Sequence, residues 1–148
     1  MHAGGNAMYL DSCIVVKLLV PEPDSTAVAS TVRGQPLVTS ELTTTEVTSA
    51  LLARERAGDL KPKDRQRATA QWQRWIRDEE ITLAPLDSRI LQRASRLLDR
   101  CHPTIPLRTL DAIHLATADN LQEQAFCTTD RRLREAALSV GLEVLPAA

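Results

Sequence analysis

Four acidic residues of this sequence lie where a predicted strand gives way to a helix, or within a turn or two of that point. They are Asp11, Glu46, Asp111 and Asp130, and each belongs to a different segment of the chain. Carboxylate oxygens, completed by water, are the ligands that suit Mg²⁺ and Mn²⁺. If the fold gathers the four side chains, they could bind such a cation and hydrolyse a phosphodiester, because the cation polarises the phosphoryl oxygen, activates water and stabilises the leaving oxygen.

Glu46 is the least expected of the four, because it falls on the apolar side of its helix. On a helical wheel it lies between Ala53 and Ala57, one turn from Leu42 and Ala50. Burying an unpaired carboxylate is costly, and no basic residue of the same helix is positioned to neutralise this one. Four converging carboxylates would also repel one another. A cation bound among them would explain both features.

Each acid also has a purely structural interpretation. Asp11 and Asp130 are well placed to cap helix N-termini, and Asp111 suits a first helical turn, where the helix dipole favours negative charge. Glu46 fits the second half of a capping box that begins at Thr43. A capping glutamate is normally solvated, however, and the apolar side of the helix is a poor place for one.

Short apolar runs alternate with helical patterns along the whole chain. The predicted strands are "AMYL", "PLVTS", "ITLAPL" and "AFCTT", with "LEVLP" as a possible fifth. The predicted helices are "SCIVVKLLV", "DSTAVASTVRG", a segment opened by Ser40 or Thr43 and closed by Gly58, residues 62–78, "DSRILQRASRLLDR", "TLDAIHLATADNLQEQ" with a Thr109 cap, and "DRRLREAALSVG". This order predicts an α/β fold, with a mostly parallel sheet of four to five strands and helices on both faces. Because ligands bind at the carboxyl ends of parallel strands, the four acids are expected to meet there.

Length and composition indicate one ordinary globular domain. The chain has 148 residues, of which 43% are hydrophobic and 25% charged, and a net charge of −1. This charge gives no overall attraction to nucleic acid or to an anionic membrane. We expect the domain to span residues 8–146. Residues 1–7 are interpreted as a cloning remnant or an extension from an upstream start.

The cysteines and the hydropathy pattern predict a cytoplasmic protein. Cys13, Cys101 and Cys127 have neither the number nor the spacing of a disulfide framework or a zinc site, and are expected to be reduced thiols. No segment is long and apolar enough to cross a membrane, and the first residues do not resemble a signal peptide.

Four segments of the sequence together resemble the acidic motifs of PIN-domain ribonucleases, and among them the VapC-type toxins of toxin–antitoxin pairs. In chain order the segments are "YLDSCIVVKLL", "TSELTTTEVTSALLA", "TLDAIHLATA" and "FCTTDRRL". The resemblance extends over essentially residues 8–146. Its most specific part is "LDAIHLATA" followed by "TTD".

The resemblance assigns a role to each acid. It implies that Asp11 and Asp111 are the main metal ligands, that Asp130 helps to hold the metal, and that Glu46 orients or deprotonates the attacking water. Ser12 matches the small hydroxyl residue that follows the first aspartate in the family. Thr128 matches the hydroxyl residue of the last motif, with a supporting hydrogen-bonding role.

The resemblance further implies a Mg²⁺- or Mn²⁺-dependent endoribonuclease that acts on structured RNA such as tRNA or rRNA. It implies a homodimer, and inhibition by a small cognate antitoxin. Arg108, Arg131 and Arg132, with Arg134, lie beside the acids in the sequence and are candidates for contacts with RNA phosphates. Taken singly, each arginine is more simply explained as part of a solvated helix face.

Two other interpretations stay open from the sequence alone: a PIN-like module that binds RNA or protein without cleaving it, and a structural α/β domain whose acids are caps. A Ser/His/Asp hydrolase is disfavoured because no G-x-S-x-G turn occurs, and nucleotide enzymes because no glycine-rich phosphate loop occurs. The histidines are not expected to form a catalytic centre of their own: His114, one helical turn from Asp111, could approach the acids, but a packed or partly exposed helix residue is the simpler interpretation.

Overall fold

The computed structural model describes residues 7–122 and 125–147. It contains five strands, β1 (Met8–Leu10), β2 (Leu37–Ser40), β3 (Ile81–Ala84), β4 (Ala125–Cys127) and β5 (Glu143–Leu145). Seven helices connect or follow them in the described part of the chain, α1 (Ser12–Leu19), α2 (Ser25–Val32), α3 (Leu42–Arg56), α4 (Pro62–Arg77), α5 (Ser88–Cys101), α6 (Thr109–Leu121) and α7 (Arg131–Ser139).

The five strands form one sheet in the order β3-β2-β1-β4-β5, and every neighbouring pair is parallel. This confirms the predicted α/β class and the possible fifth strand. The strand order places β1 in the centre, with β2 on one side and β4 on the other. The carboxyl ends of these three strands therefore lie side by side, and α1, α3 and α7 begin just beyond them.

Helices cover both faces of the sheet, as predicted. Successive residues of β1 point to opposite faces: Met8 and Leu10 pack in one apolar cluster and Tyr9 in the other. The first cluster is completed by side chains of α1 to α4, and the second by side chains of α5 to α7. Tyr9 stacks on Phe126 of β4, with ring centroids 5.3 Å apart. The two clusters fix β1, and with it the position of the residue that follows it.

The predicted helix ends at Gly58 and Gly141 are confirmed, and so are the predicted starts at Asp87 and Asp130. Gly58 and Gly141 follow α3 and α7 with φ of 82° and 87°, the left-handed conformation that glycine adopts without strain. The helix predicted to run to Gln124 ends at Leu121 in the structure, and residues 123–124 lie outside the described part of the chain.

Further predictions from the sequence concern the cysteines, membrane-spanning helices and the limits of the domain. All three cysteines are unpaired thiols. No helix in the described ranges combines the length and apolarity needed to traverse a bilayer. The interpretation of residues 1–7 falls, apart from Ala7, outside the described residues. The domain limits of 8–146 stay a prediction.

Candidate active site

A cleft of about 530 Å³ opens at the carboxyl end of the central strands. All four acids singled out from the sequence line it: Asp11 at the end of β1, Glu46 on α3, Asp111 on α6 and Asp130 before α7. Ser12 and Arg108 line it as well. The neighbouring carboxyl ends of β1, β2 and β4 bring Asp11, Glu46 and Asp130 together, as the sequence pattern implied, whereas Asp111 comes from the start of α6, which follows a helix and a loop.

Asp11 is buried and is held by side chains rather than by a helix cap. It occupies the N-cap position of α1, but its carboxylate accepts no hydrogen bond from a backbone N–H of that helix, so the interpretation of this residue as a cap is wrong. Its Oδ2 accepts from Thr128 Oγ1 at 2.8 Å and from Cys13 Sγ at 3.1 Å. Burial, reinforced by the negative charge of Asp11, raises the pKa of Cys13 to about 12, so the thiol stays protonated and can donate.

Thr128 connects two of the acids. Its hydroxyl donates to Asp11 and accepts from the backbone N–H of Asp130 at 3.1 Å. One oxygen of Asp130 accepts from the backbone N–H of Leu133 at 2.9 Å, so the predicted cap at this position is confirmed. The other oxygen faces Arg108 at 3.7 Å. Asp130 therefore caps a helix with one oxygen and presents the other to the cleft.

Asp111 lies in the first turn of α6, as predicted, but Thr109 is not the cap of that helix. The helix begins at Thr109, and the N-cap position belongs to Arg108. Burial and the negative charges of Asp11 and Asp130 raise the pKa of Asp111, while Arg108 acts in the opposite direction. Because folding raises this pKa, native stability is lost as Asp111 ionises with rising pH. A cation placed among these carboxylates would recover that loss.

The capping-box interpretation of Glu46 is wrong. The helix α3 begins at Leu42, which puts Thr43 and Glu46 at the wrong positions for a reciprocal cap. Thr43 is buried and its hydroxyl lies 2.6 Å from that of Thr39. Glu46 instead bonds to His114 Nε2 through its Oε1, at 2.5 Å. The glutamate turns inward, as the helical wheel indicated, and meets a partner from another helix.

His114, for which a packed helix residue was the simpler interpretation, lies at the site. Its side chain has no exposed surface. Its Nε2 lies 3.9 Å from Asp11 Oδ1 and contacts Glu46 Oε1. Burial by itself would lower the pKa of His114, but the hydrogen bond to Glu46 and the charges of Asp11, Glu46 and Asp111 together raise it. The available sequence clue was its spacing, three residues and so about one helical turn after Asp111.

Arg108 spans the mouth of the cleft. Its Nε lies 3.3 Å from Asp111, and its Nη2 lies 3.7 Å from Asp130. The side chain is 70% exposed, so it can leave at little energetic cost. In this position the guanidinium places a positive charge among the carboxylates. A bound metal cation would otherwise supply that charge.

The donor set fits a hard divalent cation, although the ligands are not gathered in advance. Within residues 7–122 and 125–147, no three His, Cys, Asp or Glu side chains already form a group that could hold a metal ion. Two observations account for this: Arg108 pairs with Asp111 and Asp130, and Glu46 is turned to His114. The oxygen donors and their mutual repulsion suit Mg²⁺ or Mn²⁺ once Arg108 withdraws.

Replacing Arg108 with Gln should therefore tighten Mn²⁺ binding by about 1.4- to fivefold, the range that exposed ion pairs of about 0.2–1 kcal/mol allow. The measurement is calorimetric titration of each protein with Mn²⁺. Arg131→Gln is the matched control, since Arg131 is exposed and makes no ion pair within the described part of the chain. Equal or weaker binding by Arg108→Gln would show that Arg108 does not compete with the cation.

The other three arginine candidates differ in their exposure and in their contacts. Arg131 and Arg132 are exposed at the start of α7, next to Asp130, and stay candidates for RNA contacts. Arg134 is used inside the fold: it donates to the backbone carbonyls of Thr128 and Pro146, at 2.8 Å each. This corrects its candidate role as a phosphate ligand.

Comparison with known proteins identifies the family. A family model described as PIN domain matches residues 8–138. The chain belongs to the PIN-domain family. Ribonuclease VapC46 of Mycobacterium tuberculosis is a relative of this PIN domain, 40% identical over 142 residues that cover 94% of the chain and 96% of that protein.

Solved structures agree with the PIN fold. The crystal structure of FitAcB from Neisseria gonorrhoeae has a TM-score of 0.67 and 15% identity, covering 94% of this chain and 96% of that one. A toxin–antitoxin complex from Klebsiella pneumoniae has a TM-score of 0.57 and 15% identity, covering 83% and 86%. At such identities the likeness establishes the fold alone.

Proposed function

We propose that this PIN domain is a Mg²⁺- or Mn²⁺-dependent endoribonuclease and the toxin of a VapBC-type toxin–antitoxin pair. The observation that carries the proposal is the convergence of four carboxylates, from four separate elements, on one cleft. The relationship to a curated ribonuclease over nearly the whole chain supports the same activity.

The side chains divide into two groups in this proposal. Asp11, Asp111 and Asp130 would hold the cation, with Thr128 fixing Asp11 and Asp130 relative to each other. When bound, the cation would polarise the phosphoryl oxygen, make water nucleophilic and stabilise the leaving oxygen. Glu46 would accept the proton of the attacking water, and Ser12 would support the ligands from the start of α1.

The substrate we propose is structured RNA of the tRNA or rRNA class. Arg108 now contacts Asp111 and Asp130, and with a cation held by these acids its guanidinium would be free to bind a phosphate next to the scissile bond. Arg131 and Arg132 would extend this positive margin along the rim of the cleft. With a net charge of −1 over the whole chain, RNA affinity would depend on these local charges.

The proposed partners are a cognate antitoxin and a second copy of this chain, in the cytoplasm. The likeness to a structure described as a toxin–antitoxin complex supports an antitoxin. The homodimer rests on the family resemblance of the sequence motifs.

The test is incubation of the purified protein with a pool of tRNA and rRNA, in Mn²⁺ or in chelator. Discrete fragments that appear only with Mn²⁺ are expected, and sequencing of their ends would give the substrate and cleavage site. Intact RNA under both conditions, from a protein that still retains RNA on a filter, would favour the non-cleaving binding module instead.

A further inference from the structure

A buried chain of three polar side chains reaches the cleft from inside the fold. Tyr9 of β1 lies 2.7 Å through its hydroxyl from His114 Nδ1, and His114 Nε2 contacts Glu46 Oε1. Tyr9 and His114 have no exposed surface, whereas Glu46 lies at the wall of the cleft. The three residues come from three different elements, so the chain forms only when the whole domain is folded.

The direction of the last hydrogen bond follows from the chemistry of its two groups. An ionised carboxylate can only accept, so His114 Nε2 must carry the hydrogen and donate to Glu46. The phenol of Tyr9 carries a hydrogen and lies 2.7 Å from Nδ1, so it can donate to that nitrogen. In the neutral ring, a hydrogen bond from the phenol to Nδ1 leaves the ring hydrogen on Nε2, and in the imidazolium both nitrogens carry one, so Nε2 donates to Glu46 in either state.

This hydrogen bond restrains one oxygen of Glu46 and leaves the other available. Within the described residues, Glu46 Oε1 bonds to His114, and no side chain or backbone group there donates to Oε2. A glutamate has three rotatable bonds, and the neighbouring carboxylates of Asp11 and Asp111 would repel it from the cleft if it were unrestrained. The hydrogen bond with His114, which lies inside the fold, opposes that repulsion.

We propose that His114 is a positioning residue for the reaction: by donating to Oε1, it holds Glu46 so that Oε2 faces the water that attacks the phosphodiester. The inference rests on the proposed ribonuclease function and adds a residue to it. Tyr9 acts one step further back, by fixing the ring of His114. A core histidine that served stability alone would affect the free energy of unfolding without a specific effect on turnover.

The test compares two variants of His114 that differ in reach. In His114→Gln the amide nitrogen can occupy the place of Nε2 and donate to Glu46, whereas in His114→Asn the shorter amide reaches only the place of Nδ1. With saturating Mn²⁺, we expect His114→Asn to lower kcat by about 10–100-fold, as is typical when a group that orients an active-site residue is lost. KM for RNA and the Mn²⁺ affinity should stay close to the wild-type values, and His114→Gln should recover most of kcat.

Tyr9→Phe gives a second, milder comparison, because it removes only the hydroxyl and preserves the ring that stacks on Phe126. If His114→Asn does not fold, this variant carries the test, with a several-fold lower kcat and unchanged KM expected. Wild-type turnover in a folded His114→Asn protein, or in Tyr9→Phe, would overturn the positioning role, as would equal losses in His114→Gln and His114→Asn. The same experiment must also show that the wild type cleaves RNA and that Asp11→Asn does not. An inactive wild type would overturn the ribonuclease function itself.

Discussion

Replacing Asp11 with Asn is expected to reduce Mn²⁺-dependent RNA cleavage by at least about 100-fold, since changes even to groups behind metal ligands cost about 10–100-fold. Asp11 is buried at the end of the central strand, and its carboxylate is fixed by Thr128 and Cys13. The neutral amide is nearly the same size, so the fold should persist while the proposed cation site loses one of its three carboxylates. Initial rates on a defined RNA fragment measure the effect.

Asp119→Asn is the matched control for this substitution. Asp119 lies on α6 like Asp111, but it pairs with Arg93 at 2.8 Å, away from the cleft. Its amide variant should cleave RNA at the wild-type rate. Cleavage by Asp11→Asn within a few-fold of wild type would remove Asp11 from the reaction and return it to a structural role.

Replacing Glu46 with Gln should have a different signature from replacing Asp11. The amide oxygen of the new side chain can still accept a hydrogen bond from His114, so the local structure should be preserved, but the amide cannot take a proton from water. The expected loss in kcat is about 10²–10⁴-fold, the usual contribution of a general base. Calorimetric titration with Mn²⁺ should give an affinity near that of the wild type, in contrast to Asp11→Asn.

The separation of turnover from cation binding is what makes the Glu46 prediction specific. If Glu46→Gln lost Mn²⁺ binding together with activity, Glu46 would be a metal ligand. If it kept both, the glutamate would serve only the buried hydrogen bond with His114. A proportional loss of activity and of the free energy of unfolding would indicate damage to the fold instead.

The sheet and the meeting of the acids could be predicted because both follow from local patterns. Apolar runs alternating with helical segments imply parallel strands, and parallel strands bring their carboxyl ends to one edge. The order of the strands does not follow from those patterns. The central place of β1, between β2 and β4, is set by packing between side chains far apart in the sequence, such as Tyr9 against Phe126.

The environment of Glu46 shows where sequence reasoning reached its limit. The helical wheel placed this residue on the inner side of α3, because periodicity reports which way a side chain faces. It could not identify the hydrogen-bonding partner of Glu46, because His114 is 68 residues away along the chain. Tyr9 lies in a third element, N-terminal to Glu46 in the sequence. The helix α6 is apolar on nearly every side, so its pattern did not distinguish the inward face on which His114 lies.

Two of the predicted helix starts, at Thr43 and Thr109, were wrong for a related reason. Thr43 and Thr109 both have the side chain that favours an N-cap, but the helices begin one residue or more before the positions that such caps require. At Thr43, burial against Thr39 replaced capping. Tertiary contacts outweigh a cap, which contributes only about 1 kcal/mol.

Thermal unfolding with and without Mn²⁺ tests most directly whether the carboxylates of Asp11, Asp111 and Asp130 form a cation site. At a Mn²⁺ concentration about 100-fold above its Kd, binding to the folded state should add about 2.7 kcal/mol to the free energy of unfolding of the wild type and raise its Tm accordingly. Asp111→Asn should show little of this rise. In chelator, this variant should be at least as stable as the wild type, because the neutral amide removes repulsion from Asp11 and Asp130. Asp119→Asn should follow the wild type. Identical melting of the wild type in chelator and in millimolar Mn²⁺, or an equal Mn²⁺ effect on Asp111→Asn, would contradict the cation site.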